Sequence, residues 1–265
     1  MLHITNGDCA LAVLSQSVEG RFLPWRDVLH EGPVRAGLTL EELSAERARF
    51  IADAGWGSLE KINNDFSERD AIFRRAGEHD EIVLWFEHDL YDQLQLIQVL
   101  DGLAGLRGPP VALVCEAEYL GTMEPQRAAE LFSLRTPLTR RHFQEAQAAW
   151  AAFRSPDPRT ISPDKPRALH FLGAALRRHL EEFPWTTDGL SRLERSIVAA
   201  LEDGPLPLHE LFQRVKEEPQ FLGDTVLAWH LERLQRNAHR PRWLGGYEVR
   251  EESLRWDPAS GRLTG

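Results

Sequence analysis

The densest set of ionisable side chains in this sequence follows directly after an apolar run. Glu87, His88 and Asp89, with Asp92 and Gln93 just behind them, place four ionisable groups within six residues. Asp89 fits the ordinary role of a helix N-cap, and a carboxylate at Asp92 would complement the positive end of the same helix. Neither role explains Glu87 or His88. We expect at least one functional residue here, with capping and solvated charge as the alternative.

A second segment combines an aromatic ring, both signs of charge and a histidine in Trp25, Arg26, Asp27, His30 and Glu31, and a Gly-Pro pair then ends it. It has neither helical nor strand periodicity, and loops of this kind on an α/β scaffold often carry function. Asp27 and His30 are three residues apart, so one helical turn would place them side by side. The alternative is structural, with Arg26 paired to a neighbouring carboxylate and Trp25 filling the core.

A third candidate is the turn Asn6-Gly7-Asp8 near the start of the chain. Gly7 tolerates a positive φ, and Asp8 is a plausible N-cap for the helix that follows. Free amides at such a turn bind anions, whereas the carboxylate itself favours a metal. The turn lacks the further glycines and the Lys-Ser/Thr pair of the phosphate-binding fingerprints, which disfavours a dinucleotide or P-loop site.

Carboxylate oxygens and imidazole nitrogens suit Mg, Mn or Zn better than metals that prefer thiolates. Crowded carboxylates also serve as general acids or bases when one pKa is raised. These residue types favour a metal-assisted hydrolase or a phosphoryl or nucleotidyl transferase, with a divalent metal as the fitting cofactor. The residues that we predict to be catalytic are Asp8, Asp27, His30, Glu31, Glu87 and His88, and those that we predict to bind substrate are Asn6, Gly7, Trp25, Arg26, Asp89, Asp92 and Gln93.

Alternating strand and helix patterns position these residues. Short apolar runs predict strands and longer periodic runs predict helices, which together imply a parallel sheet. Ligands bind beyond the carboxyl ends of such strands, where all three candidate segments fall. The predicted strands are at His3–Ile4, Arg21–Leu23, Glu81–Phe86 and Val111–Cys115, and the predicted helices are Cys9–Val18, Leu40–Ala54 (capped by Thr39), Asn64–Arg75 and Tyr91–Leu103.

The rest of the chain is mainly helical in pattern, with a Pro-rich loop at 155–166. We predict an α/β fold with a Rossmann-like parallel sheet domain at 1–120, a helical segment and linker at 121–187, and a winged-helix-like domain at 188–265. The last domain should form a separate unit that makes few contacts with the rest. The predicted helices are Glu124–Phe132, Arg140–Phe153, Ala168–Glu182, Ser191–Glu202, Leu208–Val215 and one that follows Gly223-Asp224 and runs to about Arg236. A hairpin that spans Trp243–Val249 and Leu254–Trp256 is predicted after them.

The net charge of −10 is concentrated in the first 120 residues, which carry 10 Lys and Arg against 21 Asp and Glu. Such a domain repels nucleic-acid phosphates and accepts a metal ion, a cationic ligand or a phosphate bridged by a metal. The sequence has no apolar run near the ~18 residues of a membrane span and no apparent secretory signal. Two cysteines build neither a disulfide framework nor a four-cysteine zinc site. We therefore expect a cytoplasmic protein without a membrane partner.

Two other function classes stay open. A ligand-sensing regulator would use the winged-helix-like end to contact DNA or protein, and a protein-interaction module would need no catalysis. Residues 186–265 carry 11 Lys and Arg against 13 Asp and Glu, which disfavours nucleic acid. A local basic stretch contains Arg233, Arg236, His239, Arg240 and Arg242. A small-molecule ligand fits either the enzyme or the sensor.

Three blocks of sequence resemble the bacterial proteins that carry domain of unknown function 1835: residues 2–8 (LHITNGD), 24–33 (PWRDVLHEGP) and 84–93 (LWFEHDLYDQ). The resemblance covers about residues 1–120. Phe183-Pro184 and residues 190–195 (LSRLER) are similar to the C-terminal companion domain of the same family. The resemblance implies the domain layout given above and no mechanism.

Overall fold

A computed structural model describes residues 1–106, 108–215, 223–236, 242–250 and 254–265. Within them, the predicted helices at 40–54, 91–103, 140–153 and 208–215 are confirmed to within a residue or two. No helix of these segments is long and apolar enough to cross a membrane. The helices are Asp8–Leu14 (α1), Leu40–Asp53 (α2), Leu59–Arg74 (α3), Leu90–Leu103 (α4), Pro125–Ser133 (α5), Arg140–Phe153 (α6), Leu172–Leu180 (α7), Arg192–Ala200 (α8), Leu208–Val215 (α9) and Asp224–Arg236 (α10).

The strands are Leu2–Thr5 (β1), Arg21–Pro24 (β2), Gly32–Pro33 (β3), Ile82–Glu87 (β4), Val111–Glu116 (β5), Thr136–Pro137 (β6), Arg242–Gly245 (β7), Tyr247–Val249 (β8), Arg255–Asp257 (β9) and Arg262–Thr264 (β10). The largest sheet of the described residues has the order β2-β1-β4-β5-β6. Its first four strands are parallel and β6 is antiparallel. The predicted α/β class and parallel sheet are confirmed at this level.

β4 lies at the centre of the sheet because side chains on both of its faces are apolar and buried. On one face, Val83 and Trp85 pack with residues of α1 and α5. On the other face, Leu84 and Phe86 join the main core, which includes residues of α2, α3, α4, α6 and α7. The sheet is therefore covered on both sides, and its polar residues are left at the strand ends.

The strand order creates a topological switch point between β1 and β4. The chain leaves β1 through α1 towards β2 on one side, and it returns through α2 and α3 to β4 on the other side. Thr5 is level with Pro24 and Trp85, and Glu87 is level with Glu116, so the carboxyl ends form one edge. Connections that diverge from neighbouring strands leave a crevice, which is where open α/β sheets bind ligands.

Local capping sets the starts of α2 and α3, and it explains one success and one error of the predictions. Thr39 forms a capping box with Glu42 at the start of α2, as predicted for the cap. α3 begins at Leu59, earlier than predicted, because Ser58 accepts a hydrogen bond from the amide of Lys61. The predicted N-cap role of Asp8 is wrong: Gly7 is the N-cap residue and makes no side-chain cap bond.

The C-terminal part is joined to the first domain. α8, α9 and α10 share a small apolar core, but β7 pairs in parallel with β3. Leu244 and Trp256 belong to the same core as the central sheet. The expectation that 188–265 makes few contacts with the rest is therefore wrong. The predicted single hairpin is instead two, β7–β8 and β9–β10.

Candidate functional site

A cavity of about 720 Å³ opens at the switch point between β1 and β4. It is lined by the turn after β1, the end of β4, the start of α4 and, on the far side, the starts of α3 and α10. The structure brings eight of the predicted site residues to its wall: Asn6, Gly7, Asp8, Arg26, His30, Glu87, Asp89 and Asp92.

Three buried carboxylates form the acidic end of this cavity. One oxygen each from Glu87, Asp89 and Asp92 lies within 4.8 Å of the others. Glu87 is the last residue of β4, Asp89 is the N-cap of α4 and Asp92 lies in its first turn. The strand-to-helix connection thus folds the three side chains together, and we call them the carboxylate triad.

Neutral donors hold the triad in place. Asp92 accepts hydrogen bonds from the Glu87 amide at 2.7 Å and from Asn6 Nδ2 at 2.9 Å. Asp89 accepts one from the Asp92 amide at 3.0 Å, and Glu87 accepts one from the Leu120 amide at 2.7 Å. Among the described residues, no Lys, Arg or His forms an ion pair with the triad within 4.0 Å. Its negative charge is therefore not balanced by a side chain of those segments.

Burial raises the pKa of all three carboxyls. The pKa of Asp89 rises to about 7, because burial is reinforced by the charge of Glu87. The pKa of Asp92 lies well above its usual range, through burial and then through repulsion from Asp89 and Glu87. The pKa of Glu87 is raised by burial as well. Such groups either keep a proton near neutral pH or bind a cation.

His30 lies on the cavity wall with 2 % of its surface exposed. Its ring packs edge-on against Tyr91 at 6.0 Å between centroids, and Tyr91 in turn donates to the Asn6 carbonyl at 3.2 Å. Burial lowers the pKa of His30 to about 4. The imidazole is therefore neutral at neutral pH, and Asp89 has the pKa that better matches proton transfer there.

Two exposed ion pairs lie on the cavity wall. Arg26 binds Asp8 with two parallel hydrogen bonds of 2.7 and 2.9 Å, and Lys61 binds Asp65 at 2.9 Å. The bond from Arg26 lowers the pKa of Asp8, and the charge of Lys61 contributes to the same shift, so the pairs are neighbours. Arg26 and Lys61 thus place positive charges on the wall of a cavity whose carboxylate triad is negative.

Two residues predicted to be catalytic are bound elsewhere. Asp27 is buried against Arg47, whose Nε donates to it at 3.0 Å. Glu31 is buried against His230 of α10, with 2.8 Å between Oε1 and Nε2. Neither side chain lines the cavity. Both instead stabilise the loop that carries His30.

Three further predicted residues also lie outside the cavity wall. Trp25 is fully buried and donates to Gln98 at 2.7 Å, which is the core role considered for it. Gln93 is buried behind the triad and donates to the Glu87 carbonyl at 2.6 Å. His88 packs against Tyr119 at 5.8 Å and Phe171 at 5.9 Å.

The predictions missed the far wall of the cavity. Lys61 and Trp56 belong to α3 and the turn before it, and Thr225 and Val226 belong to α10. Their only sequence signal is a helix start, because only the folded chain brings those starts to the switch point. Tyr119 follows β5, as the rule for strand ends would have suggested.

Comparisons with protein-family models, curated proteins and solved structures gave no match for this chain. The fold and cavity define an α/β protein with a mostly parallel five-stranded sheet among the described residues and a carboxylate-rich crevice. The family resemblance drawn from the three sequence blocks stays a prediction, as do the domain boundaries.

Proposed function

We propose that this protein is a divalent-metal-dependent enzyme of the hydrolase or phosphoryl or nucleotidyl transferase class. The observation that carries the proposal is the carboxylate triad. Its oxygens converge at the switch point, and no cationic side chain of the described residues forms an ion pair with them. Oxygen donors grouped in this way fit Mg²⁺ or Mn²⁺, and the positive charge would offset the repulsion that raises their pKa values. We also propose that the strands and helices of the sheet domain have a Rossmann-like arrangement.

Each residue of the site has a defined task in this proposal. Glu87, Asp89 and Asp92 would hold the ion, which when bound would polarise a substrate oxygen and acidify a water molecule. Asn6 orients Asp92 through its amide, and Tyr91 fixes the turn that carries Asn6. His30 contributes a neutral, buried wall that limits water on one side of the triad.

Metal titration tests the proposal. We expect Mn²⁺ to bind wild-type protein at pH 8, where the carboxyls lose their protons more readily, and to bind Glu87→Gln and Asp92→Asn at least about 10-fold more weakly. The matched control is Asp65→Asn, which changes a carboxylate of the same cavity outside the triad. Calorimetry measures all four proteins. Equal affinity across them would reject the metal site.

A ligand-sensing regulator is the second candidate, and one observation favours it. α10 both lines the cavity and binds the first domain through His230, so a ligand would touch both parts of the chain. In this proposal, α8 to α10 and the β7–β8 hairpin act as a winged-helix-like domain. Arg242 of the predicted basic stretch is 4 % exposed and pairs with Glu182, while His239 and Arg240 lie outside the described residues. Salt-dependent binding to duplex DNA would favour this candidate over the enzyme.

A further inference from the structure

The cavity has two chemically different ends. The acidic end is the carboxylate triad, and the opposite wall is mostly apolar. That wall comes from α2, from the turn before α3, and from the starts of α3 and α10. Its apolar side chains are Ile51, Trp56, Ile62, Phe66 and Val226. A ligand that fills the cavity must therefore be polar and anionic or metal-bound at one end and apolar at the other.

The two cations that the described residues place on the cavity wall are available to an incoming anion. Arg26 and Asp8 are 44 % and 64 % exposed, and Lys61 and Asp65 are 75 % and 34 % exposed. Exposed ion pairs of this kind are weak, so exchange of a carboxylate for a phosphate costs little. A doubly charged phosphate would match both cations and the metal at once.

Aromatic rings lie at both ends of the cavity. Trp56 is held by edge-on contacts with Phe50 at 5.6 Å and with Trp229 at 6.1 Å between ring centroids. Tyr119, beside the triad, is 37 % exposed. A volume of about 720 Å³ is within the range of pockets for ligands of nucleotide size.

We propose that the ligand of this cavity is a nucleoside phosphate. Its phosphates would lie between the metal, Arg26 and Lys61, and its base would pack on the wall that contains Trp56. This inference rests on the proposed metal-dependent function and adds the substrate class. Neither an inorganic phosphate nor an uncharged nucleoside would use both ends of the cavity.

Binding of two probes to the full chain with Mn²⁺ tests the inference. The probes are the non-hydrolysable β,γ-imido analogue of ATP and inorganic tripolyphosphate, which lacks the base. We expect the nucleotide to bind wild-type protein about ten-fold or more tightly than tripolyphosphate, because stacking on an aromatic side chain is worth about that factor. Arg26→Gln should weaken both probes, since it removes a phosphate contact.

Two variants isolate the base wall. Trp56→Leu should abolish the preference for the nucleotide while leaving tripolyphosphate unchanged. Trp56→Met, which also lacks an aromatic ring but keeps a longer apolar side chain, should lose the same preference and serves if Trp56→Leu does not fold. The control is Trp243→Leu, a half-buried tryptophan that does not line this cavity and should keep the wild-type preference.

The outcomes separate the two proposals. Tight Mn²⁺ binding with equal affinity for both probes overturns the substrate class and leaves the metal site standing. A nucleotide preference that survives in Trp56→Leu, or in Trp56→Met where that variant is used, also overturns it, because the base would then lie elsewhere. Failure of Mn²⁺ to bind wild-type protein overturns the metal-dependent function and the inference that rests on it.

Discussion

Glu31 and Glu87 are both buried carboxylates, but their surroundings differ in charge. Burial alone would raise the pKa of Glu31, yet His230 and Arg242 outweigh it and lower that pKa. Glu87 has no such partner among the described residues, and burial raises its pKa. A residue of the first kind is already neutralised by the fold. A residue of the second kind is left to bind a proton or a cation, which separates the structural carboxylates from the candidate site.

Glu31→Gln should therefore lower stability without affecting the metal site. Glu31 Oε1 lies 2.8 Å from Nε2 of His230 and 3.9 Å from the buried guanidinium of Arg242. Removing the carboxylate charge leaves Arg242 less compensated, and we expect a loss of about 3–5 kcal/mol in the free energy of unfolding. The control is Glu41→Gln, whose pair with Arg74 is exposed, with an expected loss under about 1 kcal/mol. Urea unfolding measures both. Unchanged stability together with a loss of Mn²⁺ binding would instead indicate that Glu31 belongs to the active site.

His179→Leu should flatten the acid side of the stability curve. His179 is fully buried between Phe153 and Phe183, and burial lowers its pKa to about 3. Between that value and its usual 6.5, the unfolded chain binds a proton that the folded chain does not, so stability falls as pH falls. The effect reaches about 1.4 kcal/mol per pH unit. Unfolding free energies of both proteins at pH 6 and pH 4.5 test this, and parallel curves would contradict it.

Secondary-structure elements could be predicted where their signal is local. The apolar run at 81–86 is buried on both faces and gave β4, and Thr39 and Asp89 gave the caps of α2 and α4. The strand-end rule then located the candidate site, including Asn6 and the triad residues. These inferences succeeded because each depends on a few neighbouring residues and on one rule about parallel sheets.

Long-range pairing could not be predicted in the same way. Glu31 is hydrogen-bonded to His230, which lies 199 positions away in the sequence. No pattern near either residue indicates the other. Asp27 and Trp25 have core partners in Arg47 and Gln98, both on helices whose polar residues resemble solvent-facing ones in the sequence. The two-residue strand β3 could not be predicted either, because it forms by pairing with β7, which lies far away in the sequence.

The turn between β7 and β8 shows how tightly these elements approach. A Cβ at Gly246 would lie 1.9 Å from the carbonyl oxygen of Arg154 at the end of α6. Gly246→Ala should therefore push the hairpin away from α6 and cost about 1–3 kcal/mol of stability. The control is Gly105→Ala, where a Cβ would meet nothing within 4 Å. Thermal melts of both variants decide, and equal melting temperatures would show that the hairpin yields without strain.

A buried network behind the cavity connects the first domain to the C-terminal part of the chain. His30 lines the cavity, Glu31 binds His230 of α10, and β3 follows at once and pairs with β7. Arg242 of β7 completes the same buried network through Glu182. One short loop thus connects the candidate site to the C-terminal part of the chain, and α10 cannot leave without exposing buried charge.

Hydrogen exchange tests this connection across the full chain. If α10 opened alone, Glu31 would lose its hydrogen bond to His230 and keep only the more distant Arg242, at a cost of about 3 kcal/mol. We therefore expect the amides in the middle of α10 to be protected nearly as well as those of α4. His230→Ala should accelerate exchange in both α10 and residues 28–34, because the two lose a shared contact, while α4 changes less. His209→Ala, at an exposed position of α9, is the control. Exchange in wild-type α10 that is many times faster than in α4 would instead indicate a separate unit, as the sequence alone suggested.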